Sequence, residues 1–94
     1  MKVIRSGKFR LMLVELGEKS EEMVDLAELQ IRWFRKNPED TRLRIHALRE
    51  RMEGKWAFSV TGDTRIVFEW LGKNTARLLA IGPHKVVYER QKRR

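Results

Sequence analysis

The spacing of apolar residues changes along the chain, from a helical period near the N-terminus to a period of two in the second half. Residues 2–5 are predicted to form a short opening strand. Ser6 is a suitable N-cap for a helix that ends near Leu16, with Gly17 as its stop. The apolar residues near one face of that helix are Phe9, Leu13 and Leu16. Residues 10–16 also fit a strand, so the pattern leaves both structures open here.

A second helix is predicted more clearly between Ser20 and Asn37-Pro38. Acidic residues follow the N-cap Ser20 at the positive end of the helix dipole, and basic residues precede Asn37 at the negative end. Pro38 cannot continue the helix. The apolar stripe at helical spacing consists of Met23, Leu26, Ala27, Ile31 and Phe34. We therefore expect the two helices to form an αα-hairpin.

The second half of the chain has the pattern of strands. Apolar residues alternate over residues 56–60 and 66–70, and turn-forming residues lie between and after these segments. Residues 77–81 are almost continuously apolar, as expected of a strand covered on both faces. Gly82-Pro83 is expected to end this strand, and residues 85–88 to add a last short one. The order predicts an α+β fold, in which an N-terminal strand and the helical hairpin pack on one face of a small antiparallel sheet.

Chain length and net charge limit the kinds of protein and of binding partner that the sequence is compatible with. The 94 residues are expected to form one domain, with residues 89–94 as a flexible basic tail. Lys and Arg number 21 against 13 Asp and Glu, a net charge of +8 that favours a polyanionic or acidic partner. The chain has no cysteine, which excludes disulfides and thiolate metal sites. We expect a soluble cytoplasmic protein, because no apolar run approaches the roughly 20 residues of a membrane span.

Two histidines and one arginine are the candidate catalytic residues. RNA can be cut without a metal because its 2′-hydroxyl is the nucleophile, so the reaction needs a base, an acid and a cation on the phosphate. His46 and His84 have the side chain that titrates near neutral pH. Arg65 begins a strand and should leave it on the face opposite its apolar neighbours. Each residue also has a non-catalytic alternative. His46 could be a surface imidazole and His84 a turn-stabilising one. Arg65 could be a sheet-surface charge paired to Glu69 or Asp63.

Further basic and aromatic residues are candidates for binding RNA. The tryptophans at 56 and 70 are expected in the core because they are in phase with apolar strand positions. Tyr88 is a candidate for stacking on a base, with core packing as the alternative. Two distant histidines make a poor ligand set, so neither a metal nor another cofactor is predicted. The expected RNA-binding residues are Arg42, Arg44, Arg49, Arg51, Lys55 and Lys85.

The second half of the chain contains an ordered set of residues: His46, Leu48, Gly54, Trp56, Val60, Arg65, Ile66, Val67, Phe68, Ile81, Gly82, His84, Val87 and Tyr88. This order resembles the RelE/ParE superfamily of toxins, and most closely its mRNA-cleaving branch, which includes RelE, YoeB and YafQ. No single motif carries the resemblance, and Lys85 departs from the YoeB-like pattern, which has a second aromatic at that position.

The resemblance implies a RelE-like microbial ribonuclease that cuts mRNA in the ribosomal A site and is held inactive by a cognate antitoxin, in a dimer or a heterotetramer. It places His46 at the position of a proposed general base and Arg65 at that of a phosphate-binding arginine. It places His84 at the position of a proposed general acid, and Tyr88 at that of a terminal aromatic. Two other functions stay open: a ParE-like inhibitor of DNA gyrase with no chemistry of its own, and an inactive basic RNA-binding module.

Overall fold

The computed structural model describes residues 1–84 and 87, and over these residues two helices pack on a five-stranded sheet. The predicted α+β fold class is confirmed. Two short 3-10 turns, Thr41–Leu43 and Glu50–Met52, lie between the helices and the third strand. The elements in chain order are β1 Lys2–Arg5, α1 Gly7–Lys19, α2 Glu21–Lys36, β2 His46–Ala47, β3 Trp56–Ser59, β4 Thr64–Gly72 and β5 Thr75–Pro83.

Serine caps set the helix boundaries. The Ser6 hydroxyl accepts a hydrogen bond from the backbone N–H of Phe9, and the Ser20 hydroxyl accepts one from that of Met23, each at 3.1 Å. The predicted stop at Gly17 is wrong, because α1 continues to Lys19 and ends at Ser20. Gly17 instead lies where the two helices approach closely: a Cβ there would be 3.2 Å from Val24 Cγ2. The glycine therefore serves helix packing rather than helix termination.

The sheet is mixed rather than wholly antiparallel. Its order in the described part of the chain is β1-β5-β4-β3-β2, with β1 parallel to β5 and the other neighbours antiparallel. The predicted end of this strand at Gly82-Pro83 is confirmed: β5 includes both residues and ends at Pro83, which pairs with Thr64. Proline has no backbone N–H to donate to a neighbouring strand, and the end of a strand tolerates this absence. Residues 85, 86 and 88–94 lie outside the described residues, and with them the whole basic tail. Of the predicted last strand, residues 85–88, only Val87 is described; it is helical and fully buried, so the strand prediction is wrong at this residue.

A bulge in β5 explains its continuous apolar sequence. Val67 pairs with Ala80 and Phe68 with Leu78, so Leu79 is an extra residue on the β5 side of the ladder. The extra residue changes the alternation, and Leu78 and Ile81 both project to the same face. As predicted, β5 is an internal strand, lying between β1 and β4.

Aromatic side chains join α2 to the sheet. The Phe34 ring stacks on Phe58 with centroids 4.7 Å apart, and it also lies 4.7 Å from Phe68 and 5.9 Å from Trp70. Leu26, predicted in the apolar stripe, is 37% exposed. The buried amide of Gln30 joins the contact instead, since its Nε2 donates to the Ser59 carbonyl at 2.8 Å. Among the described residues, no helix is long and apolar enough to span a membrane.

Candidate active site

The sheet register places His46 and Arg65 on the face opposite the helices. His46 pairs with Ala57, and Ala57 pairs with Val67. Directly paired residues project from the same face, so all three side chains point the same way. Arg65 lies two positions from Val67 along β4 and shares that face because alternate residues do. Phe34 of α2 packs on the other face, so we call the face bearing His46 and Arg65 the site face.

On the site face, Ala57 and Val67 lie between His46 and Arg65. Both are fully buried, so other residues cover this part of the face, whereas His46 is exposed and Arg65 half-buried. β2 and β4 are separated by β3, and Arg65 is offset by two residues along the strand. From ordinary strand spacing and rise, the Cα atoms of His46 and Arg65 are about 12 Å apart.

Arg65 is oriented by the turn that joins β3 to β4. Its Nη1 donates to the carbonyl oxygens of Thr61 and Gly62, at 3.0 and 2.8 Å. Over residues 1–84 and 87, no acceptor contacts its Nε or Nη2, which leaves one edge of the guanidinium for an anion. The alternative pairing with Glu69 is not observed, because Glu69 accepts from Arg77 Nε at 2.9 Å. The Glu69–Arg77 pair also lies on the site face and was not anticipated from the sequence.

The same turn holds the start of the segment that carries His84. The backbone N–H of His84 donates to the carbonyl of Asp63 at 2.8 Å. Gly82, two residues earlier, pairs directly with Arg65, and a Cβ at Gly82 would meet open space. Arg65 and His84 are therefore anchored to neighbouring carbonyls of one turn, and Gly82 leaves room beside the guanidinium. The predicted pair Arg65 and His84 is brought together at this end of the sheet.

His46 is held by the backbone of a preceding residue. Its Nδ1 lies 3.0 Å from the carbonyl oxygen of Arg44. Arg44 has a left-handed backbone, with φ 53° and ψ 48°, where it caps the 3-10 turn Thr41–Leu43. β2 is only two residues long, and it begins two residues after Arg44.

The predicted basic residues do not all have the same role in the structure. Arg42 forms two side-chain hydrogen bonds to Asp40, at 3.0 and 2.7 Å, and its Cζ lies 3.9 Å from the centroid of the Trp33 ring. These side-chain bonds, with a further bond from the Arg42 backbone N–H, lower the pKa of the Asp40 carboxyl to about 2. Arg42 thus has protein partners of its own.

The other described residues that were predicted to bind RNA lie around β2 and the 3-10 turn that follows it. Arg44, Arg49 and Arg51 are exposed and Lys55 is half-buried. Lys85 and Tyr88 lie outside the described residues. Trp56 and Trp70 pack against the core as predicted. Among residues 1–84 and 87, no three His, Asp or Glu side chains are grouped to hold a metal.

Comparison with known proteins identifies the fold. No protein-family model matches the sequence, and no curated protein matches it. Solved structures do match. The YoeB/ParE toxin from Agrobacterium tumefaciens superposes with a TM-score of 0.75 at 19% identity, covering 89% of this chain and 99% of that one. YafQ from Escherichia coli BL21(DE3) gives 0.76 at 18%, covering 93% and 97%.

A third match is a heterotetrameric YoeB–YefM toxin–antitoxin complex from Staphylococcus aureus, with a TM-score of 0.70 at 12% identity, covering 89% of this chain and 97% of that one. The chain therefore has the fold of the YoeB and YafQ toxins over almost its whole length. The fold expected from the resemblance to the RelE/ParE superfamily is confirmed.

Proposed function

We propose that the protein is the toxin of a type II toxin–antitoxin system and acts in the cytoplasm as a metal-independent endoribonuclease on mRNA in the ribosomal A site. The observation that carries this proposal is the arrangement of three residues. His46 and Arg65 share one sheet face, and the Thr61–Asp63 carbonyls anchor both Arg65 and the His84 backbone. Similarity to the YoeB and YafQ toxins supports the toxin role.

In the proposed reaction, His46 accepts the proton of a ribose 2′-hydroxyl while that oxygen attacks the adjacent phosphorus. The bond between phosphorus and the 5′-oxygen breaks, and His84 donates a proton to the leaving oxygen. The products are a 2′,3′-cyclic phosphate and a 5′-hydroxyl. One proton enters the protein at His46 and one leaves at His84, so exchange with solvent restores the starting state.

Arg65 binds the phosphate as negative charge develops on its oxygens. The turn carbonyls of Thr61 and Gly62 hold Nη1, so the remaining edge of the guanidinium is oriented before substrate arrives. Preorganised donors of this kind stabilise the transition state without reorganising during the reaction. The basic residues around β2 bind the RNA backbone and ribosomal RNA in this proposal.

The proposed partner is an acidic antitoxin. A domain with a net charge of +8 is electrostatically complementary to a partner that covers its basic surface with carboxylates. The structurally similar YafQ and YoeB were each solved with an antitoxin, DinJ and YefM respectively. We infer a dimer or heterotetramer of the same kind for this chain.

End-group analysis on programmed ribosomes tests the proposed chemistry. Purified protein should yield mRNA fragments with a 2′,3′-cyclic phosphate and a 5′-hydroxyl. His84→Ala should lower the rate by about 100-fold or more, the usual contribution of a positioned acid. Fragments with a 5′-phosphate would contradict attack by the 2′-hydroxyl. Growth arrest without fragments would favour the gyrase-inhibitor alternative.

A further inference from the structure

The hydrogen bond between Arg44 and His46 assigns a protonation pattern to the imidazole. A carbonyl oxygen can only accept, so the 3.0 Å contact requires a hydrogen on Nδ1 of His46. In the neutral ring Nε2 then carries the lone pair. We infer that the left-handed backbone of Arg44 is a positioning device that selects the Nδ1–H tautomer of His46 and presents Nε2 as the proton acceptor. This inference rests on the proposed function and names the atom that acts in it.

The conformation of Arg44 is what makes the bond possible. A left-handed backbone is uncommon in a residue with a side chain, and it persists where the surroundings determine it. Here the Arg44 N–H donates to the Thr41 carbonyl at 3.2 Å, closing the 3-10 turn. The chain then reverses, so that the Arg44 carbonyl faces the imidazole two residues later.

The turn before Arg44 is fixed on both sides. Asp40 Oδ1 accepts from the Arg42 backbone N–H at 2.9 Å, and the same carboxylate holds the Arg42 guanidinium over Trp33. Leu43, the residue directly before Arg44, is fully buried in the core. Pairing of His46 with Ala57 then fixes the chain beyond Arg44. The left-handed residue is therefore held between anchored neighbours.

Tautomer selection matters because only one ring nitrogen can accept the 2′-hydroxyl proton. The hydrogen bond made by the other nitrogen decides which one it is. A typical net hydrogen bond shifts such an equilibrium by about two- to tenfold. When Nε2 takes the proton, the Nδ1–H bond to the carbonyl remains and stabilises the imidazolium, so the same contact serves before and after proton transfer.

Two substitutions at Arg44 separate its backbone from its side chain. Arg44→Gly and Arg44→Val both remove the guanidinium and any RNA contact it makes. Glycine accepts a positive φ without strain, whereas β-branched valine disfavours it. Arg44→Gly should therefore keep the carbonyl in place, and Arg44→Val should release it. Differences between these two variants report on the backbone alone.

The primary test is NMR of ¹⁵N-histidine protein in an inactive His84→Gln background, where only His46 gives ring signals. At a pH where the imidazole is neutral, we expect Nδ1 to have the ¹⁵N chemical shift of a protonated nitrogen and Nε2 that of an unprotonated one. Arg44→Gly should retain this pattern, and Arg44→Val should lose it in part. A parent protein with the proton on Nε2 would overturn the inference, as would identical tautomer ratios in the two variants.

Single-turnover cleavage in the His84-containing protein gives the second readout. Arg44→Val should cut about two- to tenfold more slowly than Arg44→Gly, and both should bind ribosomes equally. Equal rates would overturn the positioning role. If Arg44→Val does not fold, as judged by circular dichroism, the parent spectrum alone decides the tautomer. Failure of the proposed function has a different signature, namely His46→Ala cutting mRNA at the parental rate.

Discussion

Replacing Arg65 should reduce the rate of cleavage far more than it reduces affinity for RNA. Nη1 of the guanidinium binds the Thr61 and Gly62 carbonyls, and in the proposed mechanism the remaining edge binds the phosphate. Losing one oriented donor to a developing oxyanion costs about 100- to 1000-fold in rate, and we expect that loss for Arg65→Ala. Many other basic residues share the binding of the RNA backbone, so affinity should fall much less.

Arg65→Lys should be impaired although it keeps the charge. A single ammonium cannot hold two turn carbonyls and a phosphate in the planar geometry that a guanidinium provides. We expect a loss of about 10- to 100-fold in rate, below that of the alanine variant. Arg77→Ala is the matched control, because it also removes one arginine from the site face. Its guanidinium is paired with Glu69, so cleavage should stay within about twofold of the parent.

The assay is single-turnover cleavage on programmed ribosomes, with ribosome affinity measured separately by sedimentation. Circular dichroism controls for folding, which should change little because the Arg65 bonds lie at an exposed or half-buried turn. Equal losses in rate and affinity would refute the transition-state role and reduce Arg65 to general electrostatics. Unchanged rate, affinity and toxicity would favour a ParE-like inhibitor instead.

The two histidines, the core and the charge give four further predictions. Cleavage that needs one histidine as a base and another as an acid should have a bell-shaped pH profile, and a flat profile would contradict it. Phe34→Ala should lower the free energy of unfolding by about 3–5 kcal/mol and Leu26→Ala by under about 1, measured by urea unfolding, because only the phenylalanine is fully buried. Because Arg42 holds the pKa of Asp40 at about 2, below its ordinary 3.8, the ionised carboxylate contributes stability that is lost as the pH falls toward 2; Asp40→Asn should flatten the dependence of stability on pH in that range. Co-expression with the adjacent gene should give a complex with far less basic surface, and absence of binding at micromolar concentration would remove the main support for an antitoxin.

The features that could be predicted from the sequence depend on local chemistry and on the spacing of apolar residues. Ser6 and Ser20 were recognised as caps because a serine before an apolar-periodic segment has a defined hydrogen-bonding role. The alternation that starts at Arg65 correctly predicted that its side chain leaves the sheet opposite the helix-packed face. The ordered residues of the second half predicted the toxin fold, and superposition on the YoeB and YafQ toxins confirms it.

What the sequence did not predict depends on tertiary contacts. Gly17 looks like a stop in isolation, and only the approach of Val24 shows why a small residue is needed there. The bulge at Leu79 and the parallel β1–β5 pairing arise from strand register, which local pattern does not specify. The left-handed Arg44 gives no signal in sequence either, because arginine rarely adopts that conformation.

Primer extension on translated mRNA, after induction of the parent protein and of His84→Ala, tests the central claim most directly. The proposal predicts new 5′ ends within translated reading frames for the parent protein, with growth arrest. Both should be lost in His84→Ala at equal expression and with an unchanged circular dichroism spectrum. Growth arrest by the parent without new 5′ ends, or the same ends at the same rate from the variant, would contradict cleavage by this site.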